Sequence, residues 1–305
     1  MTSSGARIDR AAGSPGADEP WTVLRMILWS SDYLQGKGIA SGRLDAEHLL
    51  AHVVGVNRLQ LYLDFERPLG RDELDGFRPL LKRRAAREPL QYILGRQPFR
   101  ELDLVVAPGV LIPRPETELL VGEVLAWVER EGREAPTALE VGAGSGAICL
   151  SLAHEGYFTH ITATDISADA LELTRRNGDA AALGDKVDLR LGSLFEPLDD
   201  GVRFDVIVSN PPYVAEVDEA SLEPEVRDWE PRDALFAGHD GLDVIRVMIS
   251  EARRYLKDGG LFALEVGADQ PRRVAELMRE TGQYAEVRII RDYSGRERFV
   301  LAHGA

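Results

Sequence analysis

Thr137-Ala-Leu-Glu140-Val-Gly142-Ala143-Gly144-Ser145-Gly146-Ala-Ile-Cys149-Leu-Ser-Leu-Ala153 reads as an apolar strand, a glycine turn and an apolar helix in direct succession. A second apolar segment, Ile161-Thr-Ala-Thr-Asp165, ends in a carboxylate about 20 residues beyond the glycines, the spacing at which an acid reaches ribose hydroxyls. The unit is therefore expected to hold a nucleoside. Dinucleotide folds use G-x-G-x-x-G, whereas here Gly146 arrives one place early and the turn reads G-x-G-x-G. That spacing favours S-adenosylmethionine over NAD.

Further along the chain, Asn210-Pro211-Pro212-Tyr213 follows the apolar run Phe204-Asp-Val-Ile-Val-Ser209. A rigid four-residue turn is thus expected at the carboxyl end of a buried strand, where open α/β sheets bind their ligands. Proline rings fix φ and carry no N–H, so carbonyl oxygens, the Asn210 amide and the Tyr213 ring can face a ligand in fixed geometry. Such a turn suits a planar –NH2 group: two acceptors hold its protons, an aromatic ring covers its face, and the nitrogen lone pair is left aimed at an electrophile. An ordinary proline-rich loop is the bland alternative for these four residues alone. Joined to the glycine turn and Asp165, they become a specific pattern.

Later apolar runs predict strands at Val187 to Leu191, Phe204 to Ser209, Leu261 to Val266, Ala285 to Ile290 and Arg298 to Ala302, with helices between most of them. This is an α/β, doubly wound, mostly parallel sheet of seven strands. The last two strands are separated by a connection too short for a helical crossover and should pair antiparallel. Residues 1–19 read as a disordered tail, 20–92 as a helical bundle, 93–112 as a β-hairpin linker that roofs the pocket, and 113–305 as the catalytic domain, whose first helix can begin near Thr117.

Composition bounds the class. The chain has 305 residues and is 44% hydrophobic, enough for a full core and two domains. No apolar run approaches membrane-spanning length, and the polar start lacks the apolar core of a signal peptide, so a cytoplasmic protein is expected. The formal net charge is −15. Up to Tyr92 there are 13 Lys and Arg against 12 Asp and Glu; the remainder carries 23 against 39. The acidic catalytic part disfavours direct binding to a nucleic-acid backbone. Cys149 lies in an apolar helical run and reads as a small core residue. His48 and His52 share a helical spacing without a third ligand nearby, and no metal is expected. The basic run Arg78 to Arg87 reads as a solvated helix face, with a macromolecular contact as the sharper reading.

Taken together, these residues resemble the bacterial release factor glutamine methyltransferases from about Trp21 to Leu301. The resemblance is carried by Gln97-Pro98-Phe99, Leu111-Ile-Pro113-Arg114-Pro115-Glu116-Thr117-Glu118, the Gly142 to Gly146 turn, Asp165, Ser209 to Tyr213, Glu230-Pro231, Asp240-Gly241-Leu242 and Asp292-Tyr-Ser-Gly-Arg296. It implies methyl transfer from S-adenosylmethionine to the side-chain amide of a glutamine on class 1 peptide chain release factors. It further implies that Gly142, Ala143, Gly144, Ser145 and Gly146 line the methionine part of the cofactor, that Asp165 binds its ribose, and that Asn210, Pro211, Pro212 and Tyr213 hold the substrate glutamine, with Asn210 also beside the cofactor. Two departures stand out. Ser193-Leu194-Phe195 replaces an acid-containing pattern at the adenine end, which leaves Leu194 as the expected adenine contact, and Glu140 stands where the family usually has Asp.

Two other readings stand beside this one. A methyltransferase acting on an exocyclic amine of DNA or RNA faces the same geometric problem, although the acidic domain and the Pro113 to Glu118 segment weigh against it. A silent binding module on the same scaffold is disfavoured by the intact Gly142, Asp165 and Asn210. A monomer is favoured, and no membrane association is expected.

Overall fold

The structure, a computed structural model, describes residues 20–305, so the tail expected at 1–19 lies outside the described residues. The chain divides into two compact units, one ending at Leu94 and the other beginning at Gly95.

The first unit is helical: α1 (Val23–Gln35), α2 (Gly42–Val54), α3 (Arg58–Leu63), α4 (Arg71–Ala85) and α5 (Leu90–Leu94). Local chemistry sets the starts. The Thr22 side chain accepts from the Arg25 N–H and caps α1, and Asn57 with Gln60 forms a reciprocal capping box on α3. The periodic apolar residues Val23, Ile27, Leu34, Leu49, Leu50, Phe77 and Leu81 close into one core. The basic run is not uniformly a solvated face. Arg84 is buried and donates to Asp45 at 2.7 Å, while Arg83 pairs with Glu88 and Arg78 with Asp75. Among the described residues no group of His, Cys, Asp and Glu is arranged to hold a metal ion.

The second unit opens with an antiparallel hairpin, β1 (Arg96–Phe99) and β2 (Leu102–Val105). It then runs α6 (Pro115–Arg130), β3 (Thr137–Val141), α7 (Ala147–Glu155), β4 (His160–Asp165), α8 (Ala168–Ala180), β5 (Val187–Leu191), β6 (Phe204–Ser209), α9 (Pro224–Arg227), α10 (Asp243–Tyr255), β7 (Leu256–Glu265), α11 (Pro271–Glu280), β8 (Tyr284–Arg291) and β9 (Glu297–Gly304). Helix α6 starts two residues before Thr117 because Pro115 occupies its first turn, where a missing N–H costs nothing. Strand β7 starts five residues earlier than its apolar run suggests, since Leu256 pairs with Phe204 before the register shifts.

Seven strands form one sheet in the order β5-β4-β3-β6-β7-β9-β8, parallel except that β9 runs against both β7 and β8. Both faces are covered, so neighbouring residues of each strand enter different cores. Ala138, Val206, Val208, Leu261 and Ala263 face α6 and α7 residues such as Val124, Trp127 and Ile148. Leu139, Ile207, Phe262 and Leu264 face Ile245, Met248, Val274 and Met278 of α10 and α11. The outer strand β8 loses register with β9 between Ala285 and Arg288, and Glu286 there has φ of +49°. The strand order reverses between β3 and β6, leaving a crevice at their carboxyl ends.

Candidate active site

That crevice is a cavity of about 490 Å³. Gly142, Gly144, Asp165, Leu194, Asn210, Pro211 and Pro212 all line it. Gly109, Val110 and Leu111, in the segment that follows β2 rather than in the paired strands, line it as well. Ala143, Ser145, Gly146 and Tyr213 are not among the lining residues: Ala143 and Ser145 are the buried members of the loop, and Gly146 caps α7.

The glycines divide the work. Gly142, Gly144 and Gly146 have φ of +83°, +56° and +83°, a region that side chains with a Cβ enter at a cost. A Cβ on Gly146 would meet Leu150 Cδ1 and Thr174 Cγ2 at 2.8 Å, so this glycine permits the packing of α7 against α8. A Cβ on Gly142 or Gly144 would meet no protein atom within 4 Å. The bare backbone there leaves an open cradle on the cavity side, which suits a ligand group laid directly on the loop.

The loop is held from below and from the side. Thr164 accepts the N–H groups of Gly142 and Ala143 through its carbonyl, at 2.8 and 3.0 Å, and its hydroxyl donates to the Leu194 carbonyl at 2.9 Å. Thr174 donates to the Gly144 carbonyl at 3.0 Å. Asn177 donates to the carbonyls of Ser145 and Val105 and accepts the Val105 N–H, so one α8 side chain joins the glycine loop to the hairpin. The Asp165 carboxylate accepts Gly144 N–H at 2.9 Å with one oxygen and Ser167 N–H at 2.8 Å with the other. Each oxygen keeps a further lone pair for a ligand hydroxyl.

Glu140, the residue before the last in β3, is fully buried and accepts the Cys149 N–H at 2.8 Å. Burial pushes its carboxyl up to about 8, the Cys149 side chain and N–H opposing the shift only in part. The Cys149 thiol is likewise raised well above its ordinary value by burial, with Glu140 adding to the effect, which suits a packed core residue and not a nucleophile.

On the opposite wall, the Ser209 hydroxyl donates to the Val141 carbonyl at 2.6 Å and pins the end of β6 to the end of β3. The Asn210 Nδ2 donates to Thr117 Oγ1 at 3.2 Å, and Thr117 donates onward to Glu265 Oε2 at 2.7 Å. Arg298 Nη2 donates to Glu265 Oε1 at 3.1 Å and to the Tyr213 hydroxyl at 2.9 Å. The Tyr213 ring packs against the α10 and α11 core with the Arg298 guanidinium over it, and its carbonyl accepts from Gln270 at 2.9 Å. Burial pushes the Tyr213 hydroxyl up. Arg114 donates to both oxygens of buried Glu230 at 2.7 and 2.8 Å, which joins the start of α6 to the segment carrying Pro231, Asp233 and Ala234 on the cavity wall.

Arg114 and Thr117 are both committed to side chains around the cavity. Sequence reasoning missed Glu265 and Arg298. The signal was present, because Glu265 is a carboxylate at the end of a strand buried on both faces, where an unpaired charge would be costly.

Residues 25–95 match the family model described as the PrmC N-terminal domain, and residues 117–223 match the methyltransferase small domain. The release factor glutamine methyltransferase of Geobacter sulfurreducens is 43% identical over 282 residues, covering 92% of this chain and 96% of that one. The chain belongs to the release factor glutamine methyltransferase family. A second member, from Streptomyces coelicolor, is 38% identical over 290 residues, covering 93% of this chain and 98% of that methyltransferase. Among solved structures, the hMettl16 catalytic domain in complex with MAT2A 3'UTR hairpin 6 superposes with a TM-score of 0.54 at 18% identity, over 74% of this chain and 81% of that one. That likeness shows the shared methyltransferase fold. Among the described residues of this methyltransferase, no helix is long and apolar enough to cross a membrane.

Proposed function

We propose that this chain transfers a methyl group from S-adenosylmethionine to the side-chain amide nitrogen of a glutamine in class 1 peptide chain release factors. One observation carries the reading: Asn210, Pro211 and Pro212 share a single cavity with Gly142, Gly144 and Asp165, across the β3–β6 switch point. A nucleoside-holding wall and an amide-holding wall face the same space.

The bound cofactor supplies an electrophilic methyl group on a sulfonium sulfur. Gly142 and Gly144 would seat its methionine part, Asp165 would accept its ribose hydroxyls, and Leu194 would cover its adenine. Ala143, Ser145 and Gly146 would shape the loop from beneath. An amide nitrogen is a weak nucleophile because its lone pair is delocalised into the carbonyl, so the protein must position it. Asn210 Oδ1 and the Pro211 carbonyl would accept the two amide protons, favouring positive charge as it develops on nitrogen and fixing the attack in line. One of those protons then leaves to solvent. Tyr213 steadies the turn through Arg298, and stacking of its ring on the amide would need the ring to turn toward the cavity.

We assign residues 20–92 to recognition of the protein substrate, the 93–112 segment to roofing the cavity, and 113–305 to the chemistry. A translation factor as substrate puts the work in the cytoplasm, and we expect the enzyme to act as a monomer. The test is mass spectrometry of purified release factors after incubation with enzyme and S-adenosylmethionine. One methyl mass on a single glutamine-containing peptide is expected. Methyl transfer to DNA or RNA, with none to release factor, would overturn the reading in favour of an exocyclic base amine.

A further inference from the structure

The side chain of Asn can present either its oxygen or its NH2 group to a ligand, and the two ends are nearly isosteric. Only the oxygen can accept a proton of a substrate amide. Something must therefore choose the orientation. The choice is visible in the directions of three successive hydrogen bonds.

Arg298, whose side chain is 15% exposed, donates to one oxygen of Glu265, which is fully buried. An ionised carboxylate only accepts, so the bond between Thr117 and the other Glu265 oxygen, at 2.7 Å, requires the threonine hydroxyl to donate. A hydroxyl has one proton. With that proton directed at Glu265, Thr117 Oγ1 has only lone pairs left for Asn210, and the 3.2 Å contact requires the Asn210 NH2 to be the donor. Oδ1 is thereby turned away from Thr117. Thr117 is itself 3% exposed, so water does not compete for the arrangement.

We propose that Thr117, polarised by Glu265 and Arg298, is a positioning residue that orients the Asn210 amide so that its oxygen, not its nitrogen, receives the substrate –NH2. This rests on the assignment of Asn210 as an acceptor for the substrate amide. Thr117, in the first turn of α6, thus acts on the chemistry through Asn210. Burial pushes the Glu265 carboxyl up and its bonds to Thr117 and Arg298 oppose that shift, while the two donors are placed by geometry at 2.7 and 3.1 Å from its two oxygens.

Thr117→Val removes the hydroxyl at nearly constant volume, and its turnover at saturating cofactor and release factor is expected to fall about tenfold, the weight of one hydrogen bond at a reacting centre. Cofactor affinity by calorimetry should stay within about twofold of the parent, since no cofactor-side residue is altered. A purely structural role would not produce the next result. In an Asn210→Ala background, Thr117→Val should cause no further loss, because a positioning residue has nothing left to orient, whereas independent effects would multiply. Should Thr117→Val fold poorly, Thr117→Ser and Thr117→Ala share one cavity and differ only in the hydroxyl; serine should recover most of the turnover that alanine loses. Equal turnover in serine and alanine variants, or a Thr117→Val enzyme as active as the parent beside an impaired Asn210→Ala enzyme, overturns the positioning role alone. An Asn210→Ala enzyme with parental turnover overturns the assignment of Asn210 as well.

Discussion

Asp165 Oδ2 accepts the Gly144 N–H at 2.9 Å, so the carboxylate that ends β4 also latches the glycine loop after β3. The two residues expected to hold different parts of the cofactor are mechanically one unit. Asp165→Ala removes both the latch and the acceptor for ribose hydroxyls, and should weaken cofactor binding by roughly 1.5–3 kcal/mol, about tenfold or more. Asp165→Asn keeps an acceptor and should lose less. Unchanged affinity of the alanine variant in calorimetry would remove Asp165 from the site.

The glycines should separate by substitution. Gly146→Ala combines a positive φ with a 2.8 Å clash against Leu150 and Thr174, and should cost on the order of 2–4 kcal/mol of folding stability, read by denaturant titration. Gly144→Ala meets open space and should cost only about 1–2 kcal/mol of backbone strain while reducing cofactor affinity about tenfold or more. Full cofactor affinity in Gly144→Ala would mean that nothing is bound against that stretch of backbone.

Asn210→Ala takes away the proposed acceptor at the reacting nitrogen. Turnover should drop at least about 100-fold, as for other preorganised polar groups, with cofactor affinity far less affected. Turnover within a few-fold of the parent, at saturating substrates, would make the Asn-Pro-Pro-Tyr turn structural.

Glu140 predicts a pH signature in stability. Its carboxyl is lifted from 4.5 to about 8 by burial, so the folded chain holds this proton more tightly than the unfolded chain does. The resulting stabilisation is full below the unfolded value and is lost as pH rises through the folded one. Glu140→Gln retains an acceptor for the Cys149 N–H but has no proton to lose. The difference in Tm should therefore move in favour of the variant between about pH 5 and about pH 9, as the linkage relation requires. A difference that stays constant across that range would place the Glu140 titration elsewhere.

Much of this was legible in the chain. Apolar runs with glycine punctuation located the strands because both faces of a mostly parallel sheet are buried, which leaves near-continuous hydrophobic segments. The cavity was legible through Gly142, Gly144, Asp165 and Asn210, whose residue types are demanded by backbone conformation or ligand chemistry. Gly146 looked identical to its neighbours in sequence, and its separate task appears only when Leu150 and Thr174 are brought against it. Thr117, Glu265 and Arg298 are far apart in sequence; Thr117 and Glu265 are separated by 148 residues, and no local pattern reports a bond that the sheet creates. Of the segment expected at 93–112, only Gly109, Val110 and Leu111 are cavity-lining residues, and they lie beyond the strand pairing that ends at Val105.

The slip of register at Glu286 falls on the outermost strand of the sheet. Strand β8 is the last in the sheet, and an outermost strand offers unpaired N–H and C=O groups that could recruit the same strand from another molecule. The bulge breaks that row, and the left-handed Glu286 carries its carboxylate to 3.6 Å from His303 Nδ1 on β9, so the margin is kinked and not flat. At the other rim, β5 is five residues long and carries Asp188 and Arg190. Neither margin of the sheet therefore presents the long, regular row of backbone groups that edge-to-edge pairing of sheets requires.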